Sequence, residues 1–415
     1  MNPATEDAAR DPSSRSGYKP LLLLATVALV MTAVQAVLLR STSIWMADFG
    51  VYDAAGRAVR DGVPLYDLVF ESSAFGDMEY TYPPFAALLF TPMSILAQGL
   101  SQVLWVFVCV LALSLVCWIT LGWCGIADRS RRLRWSAVGT IAGSLLVPVL
   151  ASTTLGQINM VLLALLLLDA AGVVPQRWRG VATGVAAGIK LWPLLFLVYN
   201  LCIGRRADAA RGLAAFAATL AVGFVVLPTD SRTYWFDGVF LQANRVADLA
   251  DVQNQSLPGL LARSSQTFAT SHWWLLVSAV AGVAGLIGAA AVHRRGNDLV
   301  ATIVVGYTAL LVSPVTWPHH VVWIVPTLIW LFYASWQSGS RVARVLTIAT
   351  AVWFYVPLFV VAVPKEWTAE GRSFAISEQV VLAVTGYLVV TVVALVSLPV
   401  WLPTLAPSSE DELTR

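Results

Sequence analysis

The chain has 415 residues, 58% of them hydrophobic and only 12% charged, with a formal net charge of +2. A soluble globular chain carries about a quarter charged residues, so half of the usual charge is missing and a soluble domain is excluded. The basic residues sit in short loops between apolar runs, so the small positive charge does not describe a nucleic-acid surface.

Apolar runs of about 17–25 residues recur along almost the whole chain, each long enough to cross a hydrocarbon core of about 30 Å. Only helices or closed barrels can do so, and continuous rather than alternating runs select helices. The class is therefore all-α, a polytopic helical bundle of about 11–12 transmembrane helices with interfacial or re-entrant pieces. Residues 1–19 are polar, with Arg10, Arg15 and Lys19, and read as a disordered cytoplasmic tail. The run that follows, about 20–40, is long for a signal-peptide core and lacks a small-residue cleavage site, so it reads as a retained first helix. Residues 41–82 form an acidic segment with Asp48, Asp53, Asp61, Asp67, Glu71, Asp77 and Glu79 against Arg57 and Arg60. Residues 83–99 are apolar but short and broken by Pro92, which suits an interfacial or re-entrant helix.

Spans are expected at 101–123, 136–151 and 157–174. Residues 180–203 have basic loops at both ends and read as a hairpin of two short helices meeting near Lys190 and Pro193. Further spans fall at 212–228, 273–292, 299–316, 320–336, 345–363 and 379–403. Residues 20–403 thus form one membrane-embedded domain, with segments 41–82, 229–272 and 364–378 on one side. An acidic tail (404–415, with Glu410, Asp411 and Glu412) ends the chain on the other. Cytoplasmic loops carry the Lys/Arg excess, which puts the loops at 128–134, 176–180, 204–211, 293–298 and 341–344 inside. Both tails are then inside and the three acidic or mixed segments outside. The cysteines Cys109, Cys117, Cys124 and Cys202 lie in or beside spans without metal-ligand spacing and read as apolar filler.

Polar residues at membrane depth call for a reason, and six clusters lie at the outer ends of the helices. They are Ala47-Asp48-Phe49-Gly50-Val51-Tyr52, Thr81-Tyr82-Pro83-Pro84-Phe85 and Gly156-Gln157-Ile158-Asn159, then Gly188-Ile189-Lys190-Leu191-Trp192-Pro193, Asn254-Gln255-Ser256-Leu257 and Ser313-Pro314-Val315-Thr316-Trp317-Pro318-His319-His320. All six fall on the face that loop charge alone assigns to the outside.

In this order the clusters resemble the actinobacterial family-87 glycosyltransferases of the GT-C superfamily, whose best-known members are α-1,2-mannosyltransferases that use polyprenyl-phosphate-mannose. The resemblance implies a GT-C-type bundle and an inverting transfer to a sugar hydroxyl of a cell-envelope glycolipid outside the cytoplasmic membrane. The acceptors it implies are phosphatidylinositol mannosides, lipomannan or lipoarabinomannan. An arabinofuranosyltransferase with a decaprenyl-phosphate donor is the alternative within the superfamily. A transporter is the alternative outside it, although transporters keep binding groups at midplane within internal repeats, and no repeat is visible here.

Attack of a hydroxyl on an anomeric carbon needs a carboxylate base. GT-C enzymes resemble one another in an acidic residue just after the first helix, so the resemblance puts Asp48 in that role; capping of the following helix is its structural alternative. The departing lipid phosphate needs cations where its charge grows, for which Lys190, His319 and His320 are candidates. Lys190 as an interfacial snorkelling lysine and one histidine as a plain helix start remain open. Tyr82, Gln157, Asn159, Asn254, Gln255 and Trp317 are candidates for sugar or lipid contact. Trp192, Trp235, Trp273, Trp274 and Trp323, with Trp317, also fit an aromatic belt. Adjacent histidines diverge by about 100° on a helix, so the two do not face one metal, and the resemblance implies a metal-independent reaction without a cofactor; the partners it implies are the lipid-linked donor, the glycolipid acceptor and the bilayer.

Overall fold

The computed structural model describes residues 19–42, 44–73, 75–242, 245–251, 253–264 and 273–355. The expected 379–403 span, the 364–378 segment, the end of the 345–363 span and both tails, apart from Lys19, lie outside the described residues. The described chain is all-α apart from one antiparallel ribbon. It begins with α1 (Lys19–Leu39) and α2 (Ala47–Asp61), followed by strands β1 (Val69–Ser72) and β2 (Gly76–Glu79) with Val69 opposite Glu79. Next come α3 (Pro84–Phe90), α4 (Gln98–Trp123), α5 (Arg129–Ser144), α6 (Val147–Leu155) and α7 (Asn159–Ala170). The middle of the chain forms α8 (Val181–Ile189), α9 (Leu194–Cys202), α10 (Arg206–Val226), α11 (Pro228–Trp235) and α12 (Leu257–Ser264). The last described helices are α13 (Trp273–Arg294), α14 (Asp298–Val312), α15 (Ile324–Gln337) and α16 (Arg341–Tyr355).

Four of these, α1, α4, α10 and α13, are long and apolar enough to cross a membrane alone, so the protein is an all-α, multi-pass membrane protein. The shorter apolar helices are halves or parts of broken segments, and the breaks matter more than the spans. The expected straight span at 136–151 is instead two helices, α5 and α6, bent by 75°. Pro148 explains the bend. It lacks the N–H that would bond the Ser144 carbonyl four residues back, and its ring would clash with that carbonyl; the chain turns extended at Leu146, and Pro148 sits in the first turn of α6.

The 180–203 segment is a hairpin, as its flanking charge predicted. Gly184 and Gly188 of α8 lie against Gly212 and Thr219 of α10, while Leu197 of α9 returns to the level of Gly212. Its apex is Lys190, whose backbone is extended between the two short helices. A helix of nine residues rises about 14 Å, so the apex stops short of a full crossing of about 30 Å.

The two ends of the bundle differ chemically. At the basic end, Arg205 pairs with Asp298 at 2.6 Å, His293 also contacts Asp298, and Arg211 donates to the carbonyl of Arg179 at 2.8 Å. Asp169, at the foot of α7, accepts from the backbone N–H and hydroxyl of Thr183 and so ties α7 to α8. At the opposite end the two acidic segments pack on each other. Arg245 meets Glu79 at 2.9 Å and donates to the carbonyl of Tyr66, while Asp230 accepts from the N–H of Leu65.

The largest core cluster joins α4, α7, α14 and α15. Trp323 lies within it, fully buried and stacked on Phe196 at 5.6 Å, so its assignment to an aromatic belt is corrected: it is a core residue. Its indole lies against α14 at Gly306, where an added Cβ would meet the ring at 2.2 Å. Overpacking of this kind costs about 1–3 kcal/mol. Gly306→Ala is therefore expected to lower the thermal unfolding midpoint of the detergent-purified protein; an unchanged midpoint would contradict this packing.

Candidate functional site

Four backbone interruptions face one another at the acidic end: the α1–α2 turn, the α6–α7 turn, the α8–α9 apex and the long turn between α14 and α15. The first two are tied by the N–H of Met46, which donates to the carbonyl of Thr154 at 2.8 Å and holds Met46 in a left-handed conformation (φ 58°). The α6–α7 turn passes through Gly156, also left-handed at φ 73°, whose carbonyl accepts from the indole N–H of Trp105 at 2.6 Å. The turn between α14 and α15 is held to α7 by Asn159, which donates to the carbonyl of His319 at 3.2 Å.

Asp48 lies inside the first turn of α2, not at its cap, which is Met46. Its carboxyl lies beside the Gln157 amide and interacts electrostatically with Lys190. Burial of α2 against the bundle pushes the Asp48 carboxyl up to about 6, and the Gln157 amide and the Lys190 ammonium pull in the opposite direction. Tyr52, one helical turn on and on the same face, donates its hydroxyl to Gln157 Oε1 at 2.9 Å and sits 2.9 Å from the hydroxyl of Tyr82. The ring of Tyr82 lies 5.2 Å beneath Lys190 Nζ, within the range of a cation–π contact. The rigid Pro83-Pro84 start of α3 positions Tyr82 there.

Lys190 also interacts electrostatically with both His319 and His320. The histidine rings are perpendicular, with centroids 4.6 Å apart. His320 Nδ1 accepts from the backbone N–H of Trp317 at 3.2 Å. In neutral imidazole that leaves the proton on Nε2. His320 Nε2 and His319 Nε2 are both buried without a partner among the described residues.

The sequence-predicted residues thus fall into three groups. Asp48, Tyr82, Gln157, Lys190, His319 and His320 form one polar cluster, and Asn159 supports it through the His319 carbonyl. Gln255 donates its backbone N–H to the carbonyl of Thr316 at 2.6 Å, and its side-chain Oε1 is buried without a partner among the described residues. Trp317 is half-buried at the start of the histidine turn. Asn254 is different: its amide donates to the carbonyls of Leu249 and Pro314 and accepts from the N–H groups of Ser256 and Thr316. All four hydrogen bonds of the amide are thereby used, two within its own loop and two, to Pro314 and Thr316, to brace the histidine turn. Asp53 points to the other flank of α2 and pairs with Arg57. Tyr52 is the residue that sequence reasoning passed over, although its four-residue spacing from Asp48 gave the signal.

This polytopic membrane bundle gathers a carboxylate, an ammonium and two imidazoles where its helices break. The chain belongs to glycosyltransferase family 87, whose sequence profile matches residues 80–314. That window includes Tyr82, Gln157, Asn159, Lys190, Asn254 and Gln255, and stops short of Asp48 and the histidine pair on either side. The chain is 31% identical over 370 residues, 84% of each chain, to a polyprenol-phosphate-mannose-dependent alpha-(1-2)-phosphatidylinositol mannoside mannosyltransferase of Mycobacterium tuberculosis. It is 30% identical over 322 residues to a polyprenol-phosphate-mannose-dependent alpha-(1-2)-phosphatidylinositol pentamannoside mannosyltransferase of Mycolicibacterium smegmatis, covering 76% of this chain and 75% of that one. No solved structure matches the chain significantly. The protein is a membrane glycosyltransferase.

A single neutral hydrogen bond contributes about 0.5–1.5 kcal/mol, or about two- to twelvefold in rate. Tyr52→Phe keeps the ring and removes the bond that orients Gln157 toward Asp48. It should lower kcat for glycosyl transfer by that factor, with the thermal midpoint held; an unchanged kcat would remove Tyr52 from the site.

Proposed function

We propose that the protein transfers mannose from polyprenyl-phosphate-mannose to a mannose hydroxyl of a cell-envelope glycolipid of the phosphatidylinositol mannoside, lipomannan or lipoarabinomannan kind. The product is an α-1,2 linkage formed with inversion, and the pocket faces the outer side of the cytoplasmic membrane with both chain termini inside. Orientation rests on the charge of the loops: the basic end gathers Arg205, Arg206, Arg294 and Arg295, and such loops stay cytoplasmic. The donor sugar rests on what the mycobacterial relatives are named for.

The observation that carries the mechanism is the shared pocket of Asp48, Lys190 and the histidine pair. Asp48 accepts the proton of the attacking hydroxyl as the new oxygen–carbon bond forms at the anomeric centre. The carbon–oxygen bond to the lipid phosphate breaks, and the electron pair leaves with the phosphate. Lys190 meets that growing charge with an ammonium, and His320 meets it with an Nε2–H whose tautomer the Trp317 amide fixes. Gln157 holds the carboxylate in place through Tyr52 and Tyr82. Gln255 Oε1 and the Trp317 ring are proposed to meet sugar hydroxyls and a sugar face. Charge neutralisation by side chains makes the reaction metal-independent.

A general base contributes about 10²–10⁴-fold. Labelled mannose transfer in membranes carrying Asp48→Asn should fall by at least about 10²-fold at normal expression, and EDTA should leave wild-type transfer unchanged. Because a base works in its ionised form and Asp48 is pushed up to about 6, kcat/KM should decline as pH falls through that value and level off above it. Unchanged transfer by the variant, or an acid limb near the ordinary carboxylate value, would overturn the assignment of Asp48.

A further inference from the structure

A second cavity lies on the other flank of α2. It has a volume of about 140 Å³ and is lined by the side chains of Trp45, Asp53, Arg57, Glu71, Gln98 and Gln102, among others. This exceeds the share of about 30 Å³ that one water takes, and falls below the roughly 300–1,000 Å³ of pockets for larger ligands. Its size suits one monosaccharide ring. Its walls come from α2, β1 and the start of α4. Gly50 lets β1 close over α2, because an added Cβ would meet the Phe70 ring at 2.2 Å.

The chemistry of the walls is that of polyol recognition. Carboxylates accept from hydroxyls, amides do both, and a guanidinium donates. The indole N–H of Trp45 donates to Gln102 Oε1 at 3.3 Å, which fixes the Gln102 amide with its N–H groups still available. The Glu71 carboxylate has no partner among the described residues, and Asp53 is paired with Arg57. Two carboxylates against one guanidinium leave the cavity negative. It therefore disfavours a phosphate and favours a neutral sugar. Asp53 lies five residues beyond Asp48, about 7.5 Å along the helix and 140° around it. That separation is within reach of the sugar next to the one whose hydroxyl meets the base.

We propose that this cavity is an acceptor subsite that binds the neutral hexose adjoining the acceptor's terminal residue. The proposal rests on the transfer reading above. It makes the enzyme select acceptors by the length of their glycan, with Gln102 and Glu71 as specificity-determining residues rather than catalytic ones.

The test uses the full-length purified protein, a methyl monomannoside and a methyl dimannoside as acceptors, and the variants Gln102→Ala and Glu71→Ala. Both variants should raise KM for the dimannoside about tenfold, and leave kcat, KM for the monomannoside and KM for the lipid donor unchanged. Equal effects on the two acceptors, or no effect, would overturn the subsite. Saturation-transfer NMR of the dimannoside separates this from the transfer reading because it needs no turnover. In the wild type both rings receive saturation from the protein, and in the variants the reducing-end ring alone loses it. If that loss appears in a protein that transfers no mannose, the subsite stands and the donor assignment falls; if both rings lose saturation equally or neither does, the subsite falls. Glu71 lies on the exposed ribbon, so its variant tests the cavity without disturbing the helical core.

Discussion

Backbone groups inside a membrane must find partners within the protein, and every interruption of a helix frees several of them. In this molecule the freed groups are satisfied by other interruptions. Met46 donates to Thr154, Trp105 to Gly156, Asn159 to His319, Gln255 to Thr316, and Asn254 to Pro314. The four turns converge at one end of the bundle, three of them tied by these bonds and the α8–α9 apex closed by its own, Lys190 N–H to Ala186 and Leu194 N–H to Leu191. The polar side chains carried by those turns converge with them. The site follows from a need to satisfy the backbone, and its chemistry is built on the same turns.

The electrostatics depend on that convergence. A carboxylate and an ammonium share a partly buried pocket, where charges interact more strongly than in water. The Asp48 carboxyl is pushed up to about 6 by burial and restrained by Lys190. It is thus close to the range in which a base is both ionised near neutrality and able to take a proton. Opposite it, two imidazoles carry buried nitrogens without a partner among the described residues. The carboxylate and the cationic groups are kept on separate turns, α2 on one side and the α8–α9 apex with the histidine turn on the other.

Much of this was legible in the sequence because membrane burial makes polar residues conspicuous. Asp48, Tyr82, Gln157, Lys190 and His320 stood out against an apolar background, and loop charge alone required the hairpin at 180–203. Other features were hidden for physical reasons. The break between α5 and α6 depends on the local effect of Pro148, which hydropathy does not register. Trp323 resembles a belt tryptophan by composition, and only the packing beside Gly306 and Phe196 places it in the core. Asn254 reads as a sugar ligand until its four backbone partners are known. Tyr52 was masked by its apolar ring, although its spacing from Asp48 marked the same helical face.

The central claim is that base and phosphate-binding groups face each other across one pocket. The most direct measurement is a cryo-EM structure of the Asp48→Asn variant, which retains the pocket's shape, with polyprenyl-phosphate-mannose bound. The account predicts the phosphate within hydrogen-bonding distance of Lys190 Nζ and His320 Nε2, and the anomeric carbon facing residue 48 with room between for a hydroxyl. A phosphate seated away from Lys190 and the histidine pair, or a mannose turned from α2, would contradict it.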